Sequence, residues 1–213
     1  MVQVKICGLK TRAAVEVAME AGADFIGLVH FAKSPRHVSL PEAAELAALA
    51  RGRVKSVLLL VNPDPALIDE AAHLVAPDYI QLHGHESVED VEAIRRRANL
   101  PVIKAVAVET ALDVEAAKAY ASVADLLLFD AKPPKQAQLP GGNGIPFDWS
   151  ALRGFNTGQD YMLSGGLTPQ NVAQAIAQTG AAMVDVSSGV ESTPGVKDLG
   201  KIKAFLQEAR KEV

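Results

Sequence analysis

What this chain lacks narrows its class before any motif is read. It has one cysteine in 213 residues, so no disulfide can form within it, and cysteine usage lends secretion no support. Aromatic residues make up 5% of the chain, so its core must be aliphatic. No segment approaches 18 uncharged apolar residues, which leaves no candidate membrane helix. The opening MVQVKICGLK reads as no signal peptide, because its apolar stretch is short and broken by Lys5. Positive charge is not in excess: 21 Lys+Arg against 25 Asp+Glu gives a net charge of −4. That balance argues against general binding to nucleic acid or to an anionic membrane. A cytoplasmic protein is the expectation. No linker, charge block or low-complexity stretch divides residues 1–213, which read as a single domain.

What is present is a rhythm. Apolar runs of strand length start at positions 2, 25, 56, 79, 102, 126, 161 and 183, with spacings of 23, 31, 23, 23, 24, 35 and 22. Most are nearly continuous Val/Ile/Leu, as expected of parallel strands buried on both faces. Helical patterns alternate with them and open on capping residues: Thr11, Ser39 with Glu42 three residues on, Asp64-Pro65, Ser87, Thr110, Asp148, Thr168-Pro169 and Asp198. Eight βα units predict a (β/α)₈ TIM barrel of the α/β class, close to the minimum size of about 200 residues. A doubly wound open sheet is the alternative, but it has fewer strands and no G-x-G-x-x-G follows the first run.

The two long units carry extra loops, His30–Ser39 and Ala131–Phe147, each following a strand. Both therefore fall at the C-terminal face, where barrels of this kind place their active sites. Polar residues that end strands point into the same mouth. Cys7 ends the first strand as either a small buried hydrophobe or a thiolate helped by nearby Lys5. Asp130 follows LLLF; such a carboxyl group is partly desolvated and suits a general acid, with a helix cap or an ion pair to Lys132 or Lys135 as the alternative. His83 in QLHGHE is a neutral substrate contact or a structural histidine. The His-x-His spacing suggests a metal, but no third ligand accompanies it, so no metal is expected. Arg36 lies in SPRHV and can clamp a carboxylate from the loop over the mouth. Ser164-Gly165-Gly166 and Ser187-Ser188-Gly189 follow the last two strands, the paired positions of a phosphate cradle. A thiol, an acid, an arginine and a phosphate cradle, with no dinucleotide or P-loop motif, fit a cofactor-free acid/base rearrangement of a sugar phosphate.

Ordered motifs then cover almost the whole chain: VKICGLK (4–10), GADFIGLVHFAKSPR (22–36), QLHG with Glu86, LLFD (127–130), GGNG followed by FDW (141–149), LSGGL (163–167) and VDVSSGVE (184–191), then Pro194-Gly195 and Lys197-Asp198. In this order they resemble the phosphoribosylanthranilate isomerase family of tryptophan biosynthesis. The family usually has Gly-Gly-Thr-Gly and a basic residue where this chain has Gly142-Asn143-Gly144-Ile145-Pro146. The resemblance implies an Amadori rearrangement of N-(5-phosphoribosyl)anthranilate to 1-(2-carboxyphenylamino)-1-deoxyribulose 5-phosphate, without a cofactor. It matches Cys7 to the base, Asp130 to the acid, Arg36 to the substrate carboxylate and the last two loops to the phosphate. His83 and Asp185 are further candidates for substrate contact, with a buried, hydrogen-bonded barrel residue as the alternative for Asp185. The only partner implied is the small-molecule substrate, and monomer and homodimer both stay open. The related histidine-pathway isomerase is the main competitor, although an aspartate base would be expected there in place of Cys7. A sugar-phosphate-binding barrel without catalysis and an interaction module are further alternatives.

Overall fold

In a computed structural model, which describes residues 1–133, 141 and 147–211, the eight apolar runs are eight parallel strands closed into one barrel. They are β1 (Gln3–Cys7), β2 (Phe25–Val29), β3 (Lys55–Leu60), β4 (Tyr79–Leu82), β5 (Val102–Val108), β6 (Leu126–Ala131), β7 (Tyr161–Leu163) and β8 (Met183–Val186). Each pairs with the next in sequence, and β1 closes the ring on β8.

The side-chain period of two sorts every strand into two faces. Val4, Ile6, Ile26, Leu28, Leu58, Leu60, Ile80 and Leu82 face outward and join the helices in the largest core cluster. Phe25, Val57, Ile103, Ala105, Leu126, Leu128 and Met162 fill the interior, with Tyr79 and Met183 against them. Cys7, Val29 and Leu59 form a smaller apolar layer at the upper end, next to Phe31 and Val61. The barrel is thus solid below and open above, and the open end is where β1, β2 and β3 finish.

The helices begin where the capping residues announce them. Thr11 Oγ1 accepts from the Ala14 amide at the start of α1 (Arg12–Glu20). Ser39 and Glu42 form a full capping box for α2 (Leu40–Ala50), and Ser87 with Asp90 does so for α4 (Val88–Ala98). Asp64 caps α3 (Pro65–Glu70) and Asp198 caps α7 (Leu199–Ala209). Thr110 opens the short α5 (Ala111–Ala116). Two starts differ from expectation. Asp148 opens only a single 3₁₀ turn, Trp149–Leu152. Thr168-Pro169 does not start a helix: Thr168 N–H donates to Asn171 Oδ1 and Thr168 Oγ1 accepts from Gln170 N–H. That local turn sets α6 (Val172–Thr179) back by three residues.

The lower rim carries a repeat that the strand spacing did not reveal. The aspartate just before β2, β4 and β6 accepts the amide of the preceding strand: Asp24 from Val4, Asp78 from Ser56, Asp125 from Val102, all at 2.8 Å. Each also holds a cation, Arg210, Lys55 and Arg95 respectively. A second unpredicted element is a hairpin after β8, made of β9 (Glu191–Thr193) and β10 (Val196–Lys197). It stands beside the mouth and matters for the site.

Candidate active site

The mouth is a cleft open to solvent, with about 790 Å³ of empty space over its walls when the adjoining solvent is included. Cys7, Arg36, His83, Asp130, Ser164, Gly165, Gly166, Asp185, Ser187 and Ser188 all line it. The fold thus gathers residues from positions 7 to 188 that sequence alone could only place at separate strand ends.

Below Cys7 lies a buried polar chain. Lys5, two residues earlier on the same inward face, is fully buried and donates to Asp185 Oδ1 at 3.0 Å. Lys5 and Asp185 are also register partners across the β1–β8 seam. Ser164 Oγ donates to the other oxygen, Asp185 Oδ2, at 3.1 Å. Burial lowers the Lys5 ammonium, but the Asp185 charge, then the Cys7 charge and hydrogen bonds to both outweigh it and hold it above its ordinary value. The Cys7 thiol moves up. Burial is the largest cause and the Asp185 charge adds to it, while Lys5 and Lys197 pull the other way. The apolar neighbours Val29 and Leu59 are the source of that burial.

Across the mouth, His83 Nε2 lies 3.2 Å from Asp130 Oδ2, and His83 Nδ1 lies 3.0 Å from Gln81 Nε2. Asp130 Oδ1 accepts from the Ala131 amide. Asp130 therefore pairs with His83 and not with Lys132, which is tied to Glu109; Lys135 lies outside the described residues. Numbering each loop by the strand it follows, loop 4 owes its shape to a buried ion pair on the outer side of the barrel. Lys104 donates to Glu86 Oε2 at 2.6 Å and to the Gly84 carbonyl at 2.9 Å, while Glu86 accepts from the Asn62 and Gly84 amides. His85 is exposed, and among the described residues the His83/His85 pair gains no third ligand.

Arg36 departs from the picture of a loop arginine reaching over solvent. It is 6% exposed, and its Nε and Nη2 donate to Glu191 Oε1 and Oε2 at 2.7 and 2.9 Å. Such a two-point pair fixes the plane of the guanidinium. The same Glu191 accepts from Lys197 at 2.8 Å, and Lys197 also donates to the Ser187 carbonyl at 2.8 Å. Burial opposes charge on Glu191, but the Arg36 hydrogen bond and the Lys197 charge hold its carboxyl below the ordinary value. Ser164–Gly166 and Ser187–Gly189 themselves contain no Lys or Arg; Lys197, brought in by the hairpin, places one beside them. Their backbones also meet. Gly165 holds φ +86°, and a Cβ there would lie 2.5 Å from the Ala131 amide nitrogen. A Cβ on Gly189 would stand 1.8 Å from the Leu167 carbonyl oxygen, so only glycine lets the two loops touch. The Gly142–Pro146 departure from the family pattern lies outside the described residues.

The family model for N-(5'-phosphoribosyl)anthranilate (PRA) isomerase matches residues 4–208. The chain belongs to this family. The PRA isomerase of Paramagnetospirillum magneticum is 56% identical over 98% of this chain and 97% of its own. That of Brucella canis is 50% identical over 96% and 92%. Among solved structures, the Thermotoga maritima PRA isomerase superposes with a TM-score of 0.88 at 37% identity, covering 99% of both chains. A PRA isomerase solved with reduced 1-(o-carboxyphenylamino)-1-deoxyribulose 5-phosphate gives 0.86 at 36%, also over 99% of both. Sequence reading did not find Gln81, Lys104, Glu86 or Glu191 as parts of the site. The available signal was a polar residue inside an otherwise apolar run, as in YIQL and VIKAVA.

Proposed function

We propose that this chain converts N-(5'-phosphoribosyl)anthranilate into 1-(2-carboxyphenylamino)-1-deoxyribulose 5-phosphate, with Asp130 as proton donor and Cys7 as base. The observation that carries these roles is the placement of a thiol and a hydrogen-bonded carboxyl group on opposite sides of one mouth whose floor is apolar. Asp130 protonates the furanose ring oxygen. The anomeric C–O bond breaks, its electron pair goes to that oxygen, and the nitrogen lone pair forms the C=N bond of an iminium. The iminium acidifies the adjacent C2–H. The Cys7 thiolate takes that proton and the C–H electron pair becomes the C=C bond of an enolamine. Ketonisation of the enol moves a proton from oxygen to C1 and completes the isomerisation, with no net change in electrons.

Each end of the substrate has a place. Arg36, held flat by Glu191, meets the anthranilate carboxylate. The amides and hydroxyls of Ser164–Gly166 and Ser187–Gly189 hold the phosphate, with Lys197 nearby to balance its charge. Asp185 and His83 contact the sugar from the strand ends. The test is loss of PRA fluorescence on adding the purified chain with no cofactor. Turnover is expected; binding without turnover would overturn the reading in favour of a non-catalytic barrel. Turnover of the histidine-pathway aminoaldose in place of PRA would overturn it in favour of the related isomerase.

A further inference from the structure

An acid that must hold a proton at neutral pH is poorly served by a lone aspartate. With an ordinary value near 3.9, only about one such group in a thousand is protonated at pH 7. Asp130 is not alone. His83 Nε2 is 3.2 Å from its Oδ2, and behind the imidazole stands Gln81, fully buried, with its Nε2 3.0 Å from Nδ1. Among the described residues, the buried Gln81 Oε1 atom has no hydrogen-bond partner. A buried amide oxygen without a donor costs about 1–3 kcal/mol. Exchanging the two ends of the amide by rotation brings Oε1 onto Nδ1, and that oxygen is satisfied once Nδ1 carries a proton.

We propose that the proton Asp130 delivers is stored on His83, and that the Gln81 side-chain amide turns to match the charge of this pair. This rests on the assignment of Asp130 as the donor. In the loaded state the imidazole carries both protons: Nε2–H donates to Asp130 Oδ2 and Nδ1–H donates to Gln81 Oε1. During ring opening the Nε2 proton moves to Asp130 Oδ2 and passes from that carboxyl group to the ring oxygen, so Asp130 ends as the carboxylate it began as. The imidazole is left neutral, and solvent restores its proton after the product leaves, while Cys7 returns the C2 proton to solvent. In the unloaded enzyme at higher pH the imidazole holds one proton, on Nε2, and Nδ1 accepts from Gln81 Nε2–H. An imidazole is ordinarily a stronger base than a carboxylate, so the pair is a better store for a transferable proton than a carboxyl group alone. Among the described residues, the charged and titratable groups that line the mouth together with the pair are Cys7 on β1, Arg36 after β2, Lys132 after β6 and Asp185 on β8. Glu86 and Lys104 neutralise each other behind loop 4.

The experiment is the pH profile of kcat/KM for PRA. With the thiol titrating above the acid, the profile is flat between the two and its acid-side break reports the acid. His83→Asn keeps a hydrogen-bond donor near Asp130 but stores no proton. It should move the acid-side break down by about 2 units and lower the plateau about 100-fold, with inhibition by inorganic phosphate unchanged. Gln81→Glu places a carboxylate on Nδ1, favours the doubly protonated ring and should move the break up; it keeps the test available should His83→Asn not fold. A lower plateau with an unmoved break in both variants would make His83 and Gln81 structural only and overturn the proposal. Asp130→Asn separates the two levels. If it stays active, the donor assignment itself fails; if it is inactive while the break ignores His83 and Gln81, only the storage proposal fails.

Discussion

Cys7 sits where its reactive form is disfavoured. Its thiol is raised by burial and only partly offset by Lys5, so the thiolate is a minority species at neutral pH. The donor and the base are therefore rarely in their working forms together, and the alkaline break of kcat/KM should belong to the thiol. Cys7→Ala should lower kcat by about 10²–10⁴ with PRA still bound, as expected for loss of a positioned base; steady-state kinetics decide it, and near-native turnover would exclude Cys7. A second prediction separates the neighbours by sign. Lys5 lowers and Asp185 raises the thiol. In Lys5→Met the pH midpoint of iodoacetamide alkylation at Cys7 should move up, and in Asp185→Asn it should move down. Equal shifts in one direction would mean that the buried pair acts on Cys7 only through packing. Cys7 and Asp130 were legible because each interrupts an apolar run at its end. Lys5 and Gln81 were harder: they sit within such runs, where a single sequence does not say whether a polar side chain faces the barrel axis or the helices.

At the scale of elements, the hairpin β9–β10 and the last two loops decide how the two anionic ends of the substrate are held. Glu191 stands between Arg36 and Lys197, so Glu191→Gln should loosen both cations at once. KM for PRA should rise on the order of 10–100-fold if a charge-assisted contact worth about 1.5–3 kcal/mol is lost at Arg36, with kcat within a few-fold. Gly189→Ala should instead part loops 7 and 8, because the added methyl meets the Leu167 carbonyl. Inhibition by inorganic phosphate should weaken at least about tenfold in Gly189→Ala and stay near native in Arg36→Met; the reverse pattern would mean the substrate lies the other way round. The helices were readable because their caps are local, a side chain bonding an amide three residues on. The hairpin was not, because its two strands are three and two residues long and Glu191 finds its partner 155 positions away.

For the whole molecule, the eightfold spacing made the barrel legible, while the aspartates of its lower rim were hidden in ordinary turns. Burial opposes charge on Asp78 and Asp125, but hydrogen bonds from Ser56 and Lys55 to the first, and from Arg95 and Val102 to the second, hold both below the usual aspartate range. Their folded values are depressed, so at low pH the unfolded chain takes up protons that the native one refuses. Their stabilisation is present above the unfolded value near 3.8 and is lost as pH falls through the lower folded values. Urea midpoints should hold steady down to about pH 5 and then fall; Asp78→Asn with Asp125→Asn should flatten that acid arm, and an unchanged arm would place the loss elsewhere.

The Lys5–Asp185 pair joins the first strand to the last, across 180 positions of chain. A ribosome that has made seven of the eight strands has therefore produced neither the partner of Lys5 nor the loop that follows β8. Assembly of this mouth is governed by its most distant contact, and such contacts form slowly. On refolding, helical content should return before thiol protection at Cys7, and catalysis should return with that protection. Activity is therefore expected to appear only once the ring has closed, and not from a chain that stops short of β8.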